Sequence, residues 1–400
     1  MKTRILFVID SLDCAGAEKS LISLLSLLDY NKFEVYLKMF AYGGMLENSL
    51  PEQVNLLEPL SYTKFANLSI KKAIEYSFKK RDYNMLFTRL KYSLAIRKKQ
   101  YNNEQNSRIF WKLTKGVIEE DPTLYDIAIS YAQGVPTFYV AEKINAKRKF
   151  AWVNNSYRLD EIDQIFQRKF YDQYEKIIAV SDSAKTIFLE TFPMYTKRME
   201  VLYDINNYAL ISSLSELGEG YDDDFDGLRI LTIGRFHYQK GYDIAIAACK
   251  KLKEKGVKFR WYALGKGPLE LEIKKLIQHN GLTNEFRLLG VKANPYPYIK
   301  NADIYVQTSR YEGFGLAIAE ARMLNIPVVT TKFDAVFNQM VDQKNGLVVE
   351  MNPDGISNGI IQFIENKDLN RRIKRYLTLE KKGNVEDIEK FYQLLQNVGE

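Results

Sequence analysis

Short apolar runs alternate with helical periods along most of this chain, and that alternation constrains the fold more than any other feature. A strand-length run followed by an amphipathic helix, repeated, is the grammar of a parallel sheet with helices on both faces. Arg4–Ile9, Phe33–Phe40, Asp126–Ser130, Phe150–Val153 and Ile177–Val180 read as strands. Glu18–Leu28 reads as a helix with Leu21, Leu24, Leu25 and Leu28 on one face, and Ser181 or Asp182 caps another. The pattern breaks at Ser212–Gly227, a polar, acidic stretch expected to be a linker or surface loop. It then restarts. Strands are predicted at Arg229–Ile233, Phe259–Leu264, Phe286–Leu289, Ile304–Gln307, Val328–Thr331 and Leu347–Val349, with helices at Tyr242–Lys255, Leu269–Asn280, Leu316–Leu324 and Gly355–Glu365. The fold class is α/β, with two doubly wound domains of similar size. Ligands of such sheets bind at the carboxyl ends of strands, so the expected site is the cleft where the two domains face each other.

Composition narrows the chemistry. The 400 residues are 46% apolar and 27% charged, ordinary globular usage. Cys14 and Cys249 form no CxxC pair, and the histidines are His237 and His279. A disulfide scaffold and a Cys- or His-rich metal site are therefore excluded. The apolar run Ile5–Ile9 ends at Asp10 with no small-residue cleavage site after it, so it reads as a buried strand rather than a signal peptide. No stretch approaches the ~18 apolar residues of a membrane span. The expectation is a soluble, cytoplasmic protein.

The net charge of +7 is unevenly spread, since Tyr62–Lys115 alone carries +11. Within it Tyr83, Leu86, Phe87, Leu90 and Leu94 recur at helical spacing among Arg81, Arg89, Lys91, Arg97 and Lys98. That pattern predicts a domain helix with a core stripe and a solvated basic face. The alternative is a basic amphipathic helix for an anionic membrane surface, at which Arg97, Lys98 and Lys99 form the densest cluster. No nucleic-acid signature accompanies the charge.

Three loops carry candidate chemistry. Ser11–Glu18, with Gly16, is a strand-to-helix turn that either approaches a phosphate or simply closes tightly. In Gly234–Gly241, Arg235 and Lys240 lie between two glycines after a predicted strand, where they could clamp a diphosphate. In Glu312–Glu320, one glutamate sits in a glycine loop and the other among Ala317, Ile318, Ala319 and Ala321. Glu320 there needs a polar partner, such as a ribose diol, a backbone donor or Arg322. Asp222-Asp223-Asp224 has the spacing of a divalent-cation motif but precedes a strand in an acidic linker, where a solvated charge run is expected. His237, flanked by Arg235 and Lys240, is expected to be a neutral loop residue, and His279 to be structural.

Several motifs occur together in order: Gly234-Arg235…Lys240-Gly241, Gly265-Lys266-Gly267-Pro268, Asn301-Ala302-Asp303, Ser309–Leu316, Glu320-Ala321 and Pro327–Thr330. From about Leu228 to about Phe363 this resembles the donor domain of retaining GT-B glycosyltransferases of family four. Ala15-Gly16-Ala17-Glu18, Tyr125–Tyr131 and Ala151-Trp152-Val153 are similar, more loosely, to members that build capsule and other surface polysaccharides. The resemblance implies an acceptor-side domain over 1–205, a donor domain over 206–379 and a C-terminal helix over 380–400 packing back on the first. It implies that Arg235 and Lys240 bind the donor diphosphate and that Glu312 contacts the transferred sugar. Phe314, Gly315 and Leu316 would lie near both, Glu320 at the ribose, Val291 at the nucleobase, and Gly16 against the diphosphate. Asn154 stands where many relatives carry a His, so it can hydrogen-bond the sugar but cannot titrate.

The function so implied is retaining transfer of a sugar from a nucleotide diphosphate donor, UDP in particular, to a glycan or polyprenyl-diphosphate-linked glycan, with no cofactor and no metal. It places the enzyme in the cytoplasm, peripheral on the inner face of the membrane. A non-catalytic GT-B partner and a GT-B sugar-nucleotide epimerase are the alternatives.

Overall fold

The computed structural model describes residues 2–13, 16–97, 101–154, 158–218 and 220–396. The chain forms two compact units. The first comprises the N-terminal strand, residues 17–202 and the helix Ile388–Gln396, and the second comprises Gly16 and the stretch from Tyr203 to Asp387.

The first unit holds a seven-stranded parallel sheet: β1 (Thr3–Ile9), β2 (Phe33–Met39), β3 (Asn55–Leu56), β4 (Asp121–Ser130), β5 (Ile144–Val153), β6 (Lys176–Ala179) and β7 (Met199–Val201), in the order β3-β2-β1-β4-β5-β6-β7. Ile5 to Ile9 are all buried because β1 is central, pairing Ile5 with Val35 on one side and Ile127 on the other. A strand covered on both faces needs this unbroken apolar run. Helix Ile388–Gln396 rejoins this unit after the whole second unit has been traversed. Phe391 stacks on Phe7 (6.3 Å) and meets Trp152 (6.1 Å), and Arg148 donates to Leu395 O (2.5 Å).

The second unit holds a six-stranded parallel sheet: β8 (Leu228–Ile233), β9 (Phe259–Leu264), β10 (Phe286–Gly290), β11 (Ile304–Gln307), β12 (Val328–Thr331) and β13 (Leu347–Val349), in the order β10-β9-β8-β11-β12-β13. Alternation along these strands feeds two cores. Ile230, Trp261, Ala263, Val306 and Val329 face one layer of helices, while Leu231, Tyr262, Leu264, Tyr305 and Val328 face the other.

Three expectations need correction. The segment expected to be a linker begins with the end of a helix, Tyr208–Ser215, whose Ile211 is buried. Asp223 is not a free surface charge but a partly buried, paired carboxylate. It accepts from Arg229 (3.1 Å), Arg260 (2.7 Å) and the Tyr262 hydroxyl (2.6 Å). Burial raises the pKa of its carboxyl, but those three donors outweigh burial and bring it down to about 2. Finally, the apolar stripe of the basic segment does not seat in a core. Helix Asn84–Arg97 has no buried residue, and Tyr83, Phe87, Leu90 and Leu94 are exposed. The unit is held there by the opposite side, where Tyr92 packs edge-on to Phe110 (5.4 Å) and Arg89 reaches Phe65 O (3.5 Å). Lys98 and Lys99 lie outside the described residues.

Candidate active site

The second sheet reverses direction between β8 and β11. The chain runs from β8 out to β9 and β10, then crosses to β11 and continues to β12 and β13 on the other side. Neighbouring strands with oppositely directed connections leave a crevice at their carboxyl ends. The loops that flank it are Gly234–Gly241 and Thr308–Gly315, which contain Arg235, Lys240, Glu312, Phe314 and Gly315.

The two loops are bound to each other. Gly241 has φ +62°, and a Cβ there would lie 2.1 Å from Thr308 O, so only glycine permits the approach. Thr308 Oγ1 donates to Lys240 O (2.8 Å), and Arg310 N to Gln239 O (2.7 Å). The Arg310 guanidinium forks onto Asp243 (3.0 and 2.6 Å) and lies over the Tyr238 ring, 4.1 Å from its centroid.

Inside this frame Glu312 is buried and heavily hydrogen-bonded. Its Oε1 accepts from Lys240 Nζ (2.5 Å), Ser309 Oγ (2.5 Å) and Gln307 Nε2 (3.1 Å), and its Oε2 from Gln239 Nε2 (3.4 Å). Tyr305 donates to Gln307 Oε1 (2.5 Å), which fixes the amide with its NH₂ toward Ser309 and Glu312. Gln239, Tyr305, Gln307 and Ser309 were missed by the sequence reading. The available signal was the polar run Gln307-Thr308-Ser309 closing an otherwise apolar strand. Arg235 is exposed and, among the described residues, has no ion-pair partner. His237 accepts from Gln239 N (3.4 Å), capping the turn Tyr238–Lys240. Burial, then Arg235 and Lys240, push its pKa below the usual value, so it is neutral at pH 7.

Gly315, at φ +89°, caps helix Leu316–Met323. Gln339 Nε2 holds the loop by donating to Phe314 O (2.5 Å) and Gly315 O (3.1 Å). Glu320, in the second turn, is 2% exposed and accepts from the Tyr296 hydroxyl (3.1 Å). Arg322 pairs with Glu380. Val291 is half-buried, just after β10.

Gly16 opens helix Gly16–Leu27 after β1. Asn154 follows β5, and its Nδ2 donates to Tyr131 O (2.6 Å) at the end of β4. Its Oδ1 is buried and, among the described residues, has no hydrogen-bond partner. Among the described residues no group of three or more His, Cys, Asp or Glu could hold a metal ion.

The stretch that builds the crevice has a recognisable relative. Residues 224–379 match the family model of glycosyl transferases group 1. An uncharacterised glycosyltransferase of Methanocaldococcus jannaschii is 29% identical over 200 residues, 47% of this chain and 49% of the relative, so the match spans about half the relative's length. The N-acetylgalactosamine-N,N'-diacetylbacillosaminyl-diphospho-undecaprenol 4-alpha-N-acetylgalactosaminyltransferase of Campylobacter jejuni is 24% identical over 372 residues, 91% of each chain. Among solved structures, Anabaena HepE in complex with UDP and glucose superposes with a TM-score of 0.71 at 17% identity, covering 99% of this chain and 100% of that one. The fold is GT-B, an α/β architecture of two doubly wound parallel-sheet domains.

Proposed function

We propose that this chain is a retaining glycosyltransferase that moves a sugar from a nucleotide diphosphate donor, a UDP-sugar, to a hydroxyl of a glycan carried on a polyprenyl diphosphate. The observation that carries the reading is the pair of interlocked loops at the β8/β11 crevice, with Lys240 on Glu312 and Arg235 exposed beside them, inside the stretch that matches the family model. UDP in the HepE structures and the lipid diphosphate in the Campylobacter enzyme's name support the donor and the acceptor class.

Negative charge grows on the leaving diphosphate as the glycosidic bond breaks. Arg235, Lys240 and the N-terminus of helix Leu316–Met323 supply fixed positive ends for it, without a metal. Lys240 carries three N–H donors, so it can hold Glu312 and a phosphate oxygen together. Glu312, immobilised by four donors, contacts the transferred sugar, with Phe314 and Leu316 beside it. Glu320 takes the ribose, Val291 the base, Gly16 the diphosphate, and the Asn154 Oδ1 a sugar hydroxyl. The acceptor hydroxyl attacks on the face the diphosphate leaves, and its proton passes to the departing phosphate oxygen, so no titrating protein base is needed. His237, held neutral, is not that base.

The test is release of nucleoside diphosphate from a panel of nucleotide sugars, in chelator, with and without a lipid-linked glycan, followed by assignment of the product anomer. Release from one donor class, stimulated by acceptor and with the donor's anomeric configuration kept, is expected. Inversion, or activity abolished by chelator and restored by Mg²⁺ or Mn²⁺, would overturn the mechanism. Interconversion of donor sugars without transfer would identify an epimerase instead.

A further inference from the structure

Behind the loop Phe314–Gly315 stands a chain of polar side chains to which the transfer chemistry gives no role. Gln339, in the connection between β12 and β13, donates through Nε2 to both Phe314 O (2.5 Å) and Gly315 O (3.1 Å). A side-chain amide can turn over, so its donor end faces the loop only if its acceptor end is held. Arg322 Nη1 holds it by donating to Gln339 Oε1 (3.4 Å). The Arg322 guanidinium is in turn anchored by Glu380, both side chains being mostly buried. Asn345, itself buried, joins the two ends of the chain. Its Nδ2 donates to Gln339 O (3.0 Å) and to Glu380 Oε1 (3.3 Å), while its Oδ1 accepts from Val341 N (2.8 Å).

The consequence lies on the far side of the two peptides. A trans peptide is planar, and its C=O and N–H point in opposite directions. With Phe314 O and Gly315 O both drawn toward Gln339, the N–H groups of Gly315 and Leu316 are turned away from it. They stand at the start of helix Leu316–Met323, where no preceding turn can satisfy them. Among the described residues neither donates to a protein acceptor. The corner is kept in that setting by Gly315 at φ +89° and by Ile318 N donating to Gly315 O (2.9 Å). The guanidinium behind it is not fully satisfied: Arg322 Nε is buried and, among the described residues, has no hydrogen-bond partner. A fold keeps such a group where its place is set by something other than stability.

We propose that Gln339 is a positioning residue for the transfer. Oriented by Arg322 and Glu380, it aims the Gly315 and Leu316 N–H groups at the diphosphate whose charge grows as the glycosidic bond breaks. This rests on the donor reading given under the proposed function. Gln339 touches no reacting atom and acts through the two carbonyls. Hydrogen bonds that strengthen as the leaving oxygen gains charge raise turnover more than they aid capture of the intact donor. UDP already carries that charge on its terminal phosphate, so it feels their loss, whereas a nucleotide sugar, with its β-phosphate still esterified, feels less of it.

Gln339→Glu keeps the size of the side chain and its contact with Arg322, but sets an oxygen where the NH₂ faced two carbonyl oxygens. Its turnover is expected to fall at least about tenfold and its UDP affinity by a similar factor, while KM for the nucleotide sugar moves less than about threefold. Arg322→Met/Glu380→Gln frees the amide to turn without stranding a buried carboxylate and shows the same split more weakly. It carries the test should Gln339→Glu fail to fold. Arg322→Lys, which still offers Gln339 Oε1 a donor, recovers most of what the double variant loses. A merely structural role would lower the active fraction and leave UDP affinity and KM of the folded protein as they were. Steady-state nucleotide release and UDP calorimetry on folded protein read both quantities. A wild-type protein that binds no nucleoside diphosphate would remove the donor reading and this proposal with it. Wild-type binding, with turnover and UDP affinity of Gln339→Glu both within about threefold of wild type, or with turnover lost at unchanged UDP affinity, would overturn the positioning role alone.

Discussion

Two regions rich in basic residues meet opposite fates in this molecule. In the loops after β8 and β11, Lys240 and Arg310 are drawn into partners: Glu312 for the first, Asp243 and the Tyr238 ring for the second. In the segment 70–97, Lys71, Lys72, Lys79, Lys80, Arg81, Lys91 and Arg97 are exposed, as are Phe78, Phe87, Leu90 and Leu94. The cause is the backbone. Gly241 takes a left-handed conformation that brings the two loops close enough for side chains to interlock. The segment has one short connection, at Arg81, and leans on its unit through Arg89 and Tyr92. Charge in a closed frame has a fixed direction, which chemistry can use, whereas charge on an open edge has reach, which a surface can use.

The largest effect expected from breaking that contrast is at Lys240. Lys240→Ala removes a fixed cation at a developing phosphate charge and should lower turnover by roughly 10²–10³-fold. It also strips a mostly buried carboxylate of its ion-pair partner, so stability should fall by ~3 kcal/mol. Arg235→Ala, exposed and unpaired, should cost a similar factor in turnover and less than about 0.5 kcal/mol in stability. Steady-state nucleotide release and thermal melts on both variants check this; equal destabilisation would mean that the frame around Lys240 is not what the hydrogen bonds indicate.

A smaller effect belongs to Asp223. Its folded pKa of about 2 lies below the unfolded value near 3.8. The stability it contributes is therefore complete above about pH 4 and lost as pH falls toward 2. Because the carboxyl sits near the surface, the loss should be on the order of 1–2 kcal/mol. Asp223→Asn should flatten that acid limb in melts between pH 4 and 2 while leaving turnover at neutral pH unchanged.

Smaller again are substitutions on the open edge. Had the Phe87/Leu90/Leu94 stripe been a core, Leu94→Ser would cost several kcal/mol. With these side chains exposed, Phe87→Ser and Leu94→Ser should each shift stability by about 0.5 kcal/mol or less. Melts of the two single variants decide it. The least effect is expected at His237. Its lowered pKa leaves it neutral above pH 7, so His237→Gln should keep the shape of the turnover profile from pH 7 to 8 and should remove a small loss of stability below about pH 6.5.

The sequence made the sheets legible because every buried parallel strand needs a short unbroken apolar run, and Ile5–Ile9 or Ile304–Gln307 can scarcely be anything else. It singled out Arg235, Lys240 and Glu312 because glycines bracket them at strand ends, and the structure pairs Lys240 with Glu312. It did not reveal the side toward which a helix turns its stripe. Tyr83, Phe87, Leu90 and Leu94 have perfect helical spacing, but spacing fixes only that they share a face, and the partner Tyr92 found on Phe110 lies on the other one. It also hid the network behind Glu312, since Gln239, Tyr305, Gln307 and Ser309 gain meaning only when β8 and β11 become neighbours. Asp223 was misread for the same reason, its three donors coming from β8 and β9.

The central claim is that the β8/β11 crevice binds a nucleoside diphosphate sugar with its two glutamates in separate roles. Calorimetric titration of UDP into the wild-type protein, Glu320→Gln and Glu312→Gln tests it most directly. Loss of one charged hydrogen bond to the ribose should weaken UDP by roughly tenfold in Glu320→Gln. Glu312→Gln should bind UDP within about twofold of wild type while its turnover falls by roughly 10²-fold, because its partner is the sugar that UDP lacks. Equal weakening in both variants, or unchanged affinity in both, would contradict the account.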